Sequence, residues 1–343
     1  MTIINDNFIL EFYSKYRVTV RIEKAPEYYL KRRDIKHATW LIAQMSLDPS
    51  KENAEVAELI YANKIKDVIG EFESYTKFKK GDQEYEIPNL RYLPAHFVSF
   101  VKEIENELIE AIKNAFNDLR WVSSKIPQQA RISYGEFNFS MDEQEWIPVP
   151  GNGLKVTAGE AYTPNIRLDD PSLLLIQNLA SNRINEPIHH SLFREALALE
   201  TSNPRASFII AISSIEIAVK GLIAKIVPES EWLLENIPSP PVFKMIKDYL
   251  PRLQSKGTID GVPFRIPKSM LKDLQKWVEI RNNVIHKGSE TIMGDDLSFM
   301  LLCVRDMLNI IDFNCGYVWT LKFIRKETIQ ESNFDLKNVL NGL

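Results

Sequence analysis

The segment NPRASFIIAISSIEIAVKGLIAKIVP, residues 203–228, decides how the second half of the chain folds. Asn203 is a residue type that accepts a hydrogen bond from an open helix N–H, Pro204 suits the first helical position, and Pro228 stops the helix beyond its end. Between these marks apolar residues fall on nearly every face, from Phe208 through Ile212, Ile215 and Ile217 to Ile226 and Val227. A helix that is apolar all round needs neighbours all round, so the pattern predicts the central helix of a bundle. Glu216, Lys220 and Lys225 within it would be costly in lipid, which favours a protein core over a membrane span.

Working outward, the punctuation places four further helices. One runs from about Pro187 to Glu200 and a shorter one from Pro241 to Leu253. Another extends from Lys268 to about Lys287, with Gly288 after it. The last starts near Asp295 and carries Leu297, Met300, Leu301, Val304, Leu308 and Ile311 on one side, with Phe313 to Leu343 read as a tail.

The first half mixes element types. Tyr16 to Glu23 alternates apolar and polar side chains like a half-buried strand, and Arg131 to Ser140 and Leu154 to Thr157 have the same look. Between them Ala95 to Ser124 repeats Phe97, Val101, Ile104, Leu108 and Ile112 at helical spacing. Pro148, Pro150, Gly151, Gly153, Pro164 and Pro171 put a boundary within 150–185. The fold class is therefore mainly α, α+β overall, with an N-terminal α+β domain over 1–165 and an antiparallel helical bundle over 166–343.

Composition bounds the function. The 343 residues are 45% hydrophobic and 10% aromatic, enough for two ordinary cores and incompatible with a disordered chain. A formal charge of −4 excludes a histone-like or ribosomal-like balance. Cys303 and Cys315 lack Cys-x-x-Cys spacing, so they read as buried small hydrophobes and not as a disulfide framework or zinc site. The N-terminal residues have no secretory pattern, and the expectation is a cytoplasmic protein with no membrane partner.

The helix over 268–287 carries the most chemistry. At about 100° per residue, Leu274, Trp277, Val278, Val284 and Ile285 fall within about 60° of Arg281, which puts a guanidinium inside an apolar stripe. Such a group needs an acid, a polar cleft, a second subunit or a polyanion. Asn282 and His286 are i and i+4 on the same helix, and His286 lies in its last turn, where the macrodipole favours imidazolium. Arginine holds phosphate bidentately and histidine exchanges protons near neutral pH, so the set suits phosphoryl chemistry on RNA, whose 2′-hydroxyl is itself a nucleophile. On the central helix Ser213, Glu216 and Lys220 share a stripe; they either line a cleft opposite Arg281, with Glu216 orienting the guanidinium, or form an exposed Glu–Lys strip.

The string WVEIRNNVIHKG (277–288), set in a helical bundle, resembles the HEPN superfamily, whose signature is Arg, a polar residue often Asn, then His, in the form R-x4-6-H. The preceding hydrophobic helix, with Ser213, Ser214 and Glu216, is similar to that family's second helix. The resemblance covers roughly 187–325. It implies a metal-independent endoribonuclease, often of antiphage or toxin systems, with an active cleft at a homodimer interface. Arg281 and His286 would then be catalytic, with Asn282 and Glu216 supporting and Lys220 and Lys287 binding RNA. It also allows members that lost the reaction and serve as dimerisation, partner-binding or nucleotide-binding modules.

Arg32/His37, Arg91/His96 and Arg183 with His189 or His190 fit the same spacing, but Pro94 and Pro187 interrupt the last two sets and the first lies in a basic run. From 186 to 325 there are 17 Lys and Arg against 16 Asp and Glu, so an RNA substrate would be held at a narrow site and not along a basic groove. No nucleotide loop or metal motif is present, and His189-His190, adjacent at a helix start, are expected to point to different sides. No cofactor or metal is expected. A regulator or inhibitor is a further expected partner.

Overall fold

The computed structural model describes residues 8–13, 15–24, 27, 31, 39–73, 75–80, 83–123, 137–150, 170–236, 241–287 and 294–332. The chain divides into two compact units, Met1–Asn185 and Glu186–Leu343.

In the first unit a three-stranded antiparallel sheet has the order β1-β2-β3, with β1 Phe8–Tyr13, β2 Arg17–Lys24 and β3 Thr39–Gln44. The central strand alternates as its sequence demands: Val18, Val20 and Ile22 are buried, opposite Phe12, Leu10 and Phe8 of β1. A long helix, α2 (Ala95–Val122), packs on β2 and β3, and α3 (Asp170–Ser181) packs on β1. The sequence boundary at 165 gave α3 to the C-terminal half; its contacts with β1 and α2 place it in the first unit. A second nucleus joins α1 (Lys51–Tyr61) to a hairpin of β4 (Tyr75–Lys80) and β5 (Gln83–Pro88) through Ile60, Phe72, Ile87 and Phe97. Asn138–Phe139 pairs with Ile147–Pro148. Residues 131–136, 154–157 and 32–37 lie outside the described residues.

The second unit is helical and is organised by α5 (Pro204–Ile226), which touches α4 (Ile188–Leu199), α6 (Lys268–Lys287) and α7 (Gly294–Asn314). Its start is built as the sequence requires: the Asn203 side chain accepts from the Ala206 N–H at 3.1 Å, with Pro204 following. Ala211, Ile215 and Val219 are fully buried along it, and a fully buried side chain the size of Ile or Val contributes about 1.5–3 kcal/mol. Among the described residues α5 is long and apolar enough to cross a membrane; here 56% of its apolar stretch is buried against the rest of the protein.

Two segments depart from the sequence reading. Val242–Arg252 is helical but changes winding, from an α turn through a π turn at Met245–Tyr249 to a 3-10 turn at Leu250–Arg252. Pro251, which has no N–H to donate to the preceding turn, accounts for the break in the ladder. The expected tail is, through Ser332, part of the core. Phe264, Phe313, Leu321, Ile324 and Ile329 form a second apolar nucleus, and the buried Asp306 accepts from Arg325 Nε and Thr328 Oγ1, both at 2.6 Å. The helix α7 ends in a left-handed turn at Gly316 (φ 101°), with Tyr317 N–H donating to Asp312 O and Gly316 N–H to Phe313 O. The preceding loop lies on that end: a Cβ at Gly257 would sit 1.9 Å from the Phe313 carbonyl oxygen.

Candidate functional site

Two charged constellations lie in the helical unit. The first is built on α6. Leu274, Trp277 and Val284 are buried, so Arg281 does stand in an apolar stripe, while Ile285 is 46% exposed and Asn282 is exposed. The stripe thus opens to solvent at its C-terminal end. Arg281 Nη2 approaches Glu216 Oε2 of α5 at 3.8 Å, and Lys220 Nζ approaches the other carboxylate oxygen at 3.6 Å. These are ion pairs without hydrogen-bond contact, and the buried Arg281 Nε has no hydrogen-bond partner. One carboxylate therefore faces two cations in a half-buried setting.

Ser213, on the same stripe of α5, does not join them: its hydroxyl donates to the Ile209 carbonyl at 2.9 Å within its own helix. The end of α6 is held by Arg205, which donates to the Val284 carbonyl at 2.8 Å and so occupies one of the acceptors a helix leaves open in its last turn. His286 and Lys287 belong to the last turn of α6, but their side chains lie outside the described residues. Two of the other R-x4-6-H sets do not share a helix: Arg91 is in a 3-10 turn ahead of α2, and Arg183 takes a left-handed conformation (φ 55°) between α3 and α4.

The second constellation was not expected. His189 and His190, in the first turn of α4, converge on one carboxylate, that of Asp312 on α7. His189 Nε2 lies 3.0 Å from Oδ1 and His190 Nε2 lies 2.6 Å from Oδ2. The expectation that the adjacent rings point to different sides is thus corrected. Neighbouring positions on a helix do diverge by about 100° at Cβ, but a group set between the two directions can be reached by both imidazoles, whose centroids are 4.6 Å apart. Asp312 is fully buried, His189 is 6% exposed, and the His190 side chain is 14% exposed. Burial, followed by the charge of His190, pulls the His189 pKa below its usual value, against the raising effect of Asp312. The two histidines hold the Asp312 carboxyl well below the ordinary range, although burial opposes this. The signal available in the sequence was an acid at 312 within an apolar run, Leu308 to Phe313.

Nearby, Arg194 donates from both Nη atoms to the Glu186 carboxylate, a bidentate pair that is largely buried. Cys303 and Cys315 are free and buried; burial, and then the charge of Asp312, push the Cys315 thiol up to about 12. Among the described residues, His189, His190 and Asp312 are the group whose donor atoms could hold a metal ion, all lying within 4.8 Å of one another. Comparison with family models, with curated proteins and with solved structures returns no match.

Proposed function

We propose that the helical unit is an HEPN-type endoribonuclease in which Arg281 binds the scissile phosphate. The observation that carries this reading is the state of the Arg281 guanidinium: half-buried in an apolar stripe, 3.8 Å from its nearest carboxylate, with Nε unsatisfied. A phosphate oxyanion arriving at the open end of the stripe would complete its hydrogen bonds. His286, one turn further along α6, would take the proton from the 2′-hydroxyl or return one to the leaving oxygen. Attack of the 2′-oxygen on phosphorus then expels the 5′-oxygen, giving a 2′,3′-cyclic phosphate and a 5′-hydroxyl. Glu216 would orient the guanidinium, Asn282 would support it, and Lys220 and Lys287 would supply further positive charge. The proposed unit of activity is a homodimer, which the exposed apolar side chains Ile285 of α6 and Phe299 and Leu302 of α7 favour, since Phe299 lies against Trp277 of the same stripe. On this reading the first unit selects substrate or senses a trigger, and the protein acts in the cytoplasm, in antiphage defence or as a toxin held by a regulator.

The Glu216 pair also suits a second reading, a partner-binding or dimerisation module in which Arg281 is a structural cation. The test is incubation of the purified chain with mixed tRNA and mRNA in magnesium-free buffer containing EDTA, beside Arg281→Ala and His286→Ala, with end-group analysis. Cyclic-phosphate ends lost in both variants support the nuclease. Intact RNA with all three proteins, or fragments with 3′-hydroxyl ends, contradicts it.

A further inference from the structure

We propose that His189, His190 and Asp312 form a binding site for one divalent transition-metal ion of the zinc class, joining the start of α4 to the end of α7. The donor set is the first argument. Two neutral-capable imidazole nitrogens and a carboxylate make the mixed N/O environment that zinc-class ions prefer, whereas magnesium and calcium are held by oxygen. Geometry is the second. Zinc bonds of about 2.0–2.2 Å put neighbouring donors of a tetrahedral site about 3.3 Å apart. The nitrogen–oxygen separations of 3.0 and 2.6 Å and the 4.8 Å span of the whole set are within a small imidazole swing of that arrangement. An ion would take the place of the protons now shared between ring nitrogens and carboxylate.

Access is the third argument. Asp312 and His189 are enclosed, but the half-buried His190 reaches the surface and marks the side from which an ion, and a water completing its coordination, would enter. The main chain that carries the carboxylate is fixed independently of the ion, because α7 is terminated by the Gly316 turn, whose Tyr317 N–H holds the Asp312 carbonyl. The histidines are likewise fixed by their place in the first turn of α4, behind Pro187. A site whose ligands are already positioned loses little conformational freedom on binding.

The experiment uses the untagged full chain, freed of metal by chelation and dialysis, and titrated with zinc chloride against a chromophoric chelator. Cobalt(II) spectra and thermal unfolding are followed in parallel. The expected results are one zinc per chain, a cobalt d–d band of tetrahedral N/O coordination, and a rise in Tm on the order of 10 °C at saturating zinc. His190→Gln is the informative variant, since its amide can still donate to Asp312 and keep the metal-free fold. It should retain the metal-free Tm while losing about 100-fold or more in zinc affinity. A wild-type chain that binds no stoichiometric zinc, or a His190→Gln chain that binds it as tightly as wild type, overturns the proposal and leaves a hydrogen-bonded cluster alone. None of these readouts involves RNA, so this site and the Arg281 reading stand or fall separately.

Discussion

The helical unit handles buried charge in two opposite ways. At Asp312 a fully enclosed carboxylate meets two imidazoles at hydrogen-bond distance. At Asp306, two turns earlier on the same helix, another enclosed carboxylate is saturated by Arg325 and Thr328. At Glu216 the carboxylate stands 3.6 and 3.8 Å from its two cations, and the guanidinium nitrogen behind it has no partner. The carboxylates of the first two are enclosed and hydrogen-bonded. The third is part-exposed and stands beside exposed apolar residues. An enclosed carboxylate that is hydrogen-bonded offsets its own desolvation as it stands, whereas a guanidinium nitrogen without an acceptor retains bonding capacity that an anion could use.

This contrast can be broken at its strong end. Asp312→Asn should lower the unfolding free energy by about 3 kcal/mol in urea titrations of metal-free protein, because two imidazoles lose their charged acceptor inside the core. A loss under about 1 kcal/mol would mean that the cluster is less closed than its distances say. Asp306→Ala should cost about 2 kcal/mol and loosen the segment over 318–332, read as faster amide exchange there. At the open corner the sign of the comparison reverses. Arg281→Ala should change stability by no more than about 0.5–1 kcal/mol, since a part-exposed ion pair without hydrogen-bond contact contributes little. The same variant should cut RNA cleavage by about 100-fold or more. A large loss of stability there would assign Arg281 to the fold. The smallest expected effect is none: with its thiol pushed up to about 12, Cys315 should resist iodoacetamide at pH 8 in the folded chain and react promptly in denaturant. Labelling of the native chain would show that the Asp312 end of α7 opens to solvent.

Helix ends were legible in the sequence wherever a residue type has one dominant use. Asn203, Pro204 and Pro228 framed α5 as the structure has it, and of the two arrangements the sequence left open for Glu216, opposite Arg281 or paired with Lys220, both contacts are present. What escaped was whatever depends on where two distant segments meet. His189 and His190 look like a divergent pair until α7 supplies the acid between them. Phe313 looks like the start of a tail until Phe264 packs against it. The β4–β5 hairpin is a different omission, since alternation around Gly81-Asp82 announces it in the sequence itself. Of the sites proposed for RNA, Arg281, Glu216 and Lys220 come together, Asn282 is exposed beside them, and the side chains of His286 and Lys287 lie outside the described residues.

Gly257 carries a consequence for heredity. Every other amino acid would drive a side-chain carbon into the Phe313 carbonyl, a backbone atom that cannot step aside while α7 keeps its last turn. Mutations at codon 257 would therefore not drift through a population as neutral variants. The mildest, to alanine, is the one to screen for a conditional allele, folded in the cold and lost on warming, through which the protein could be switched off in a living cell.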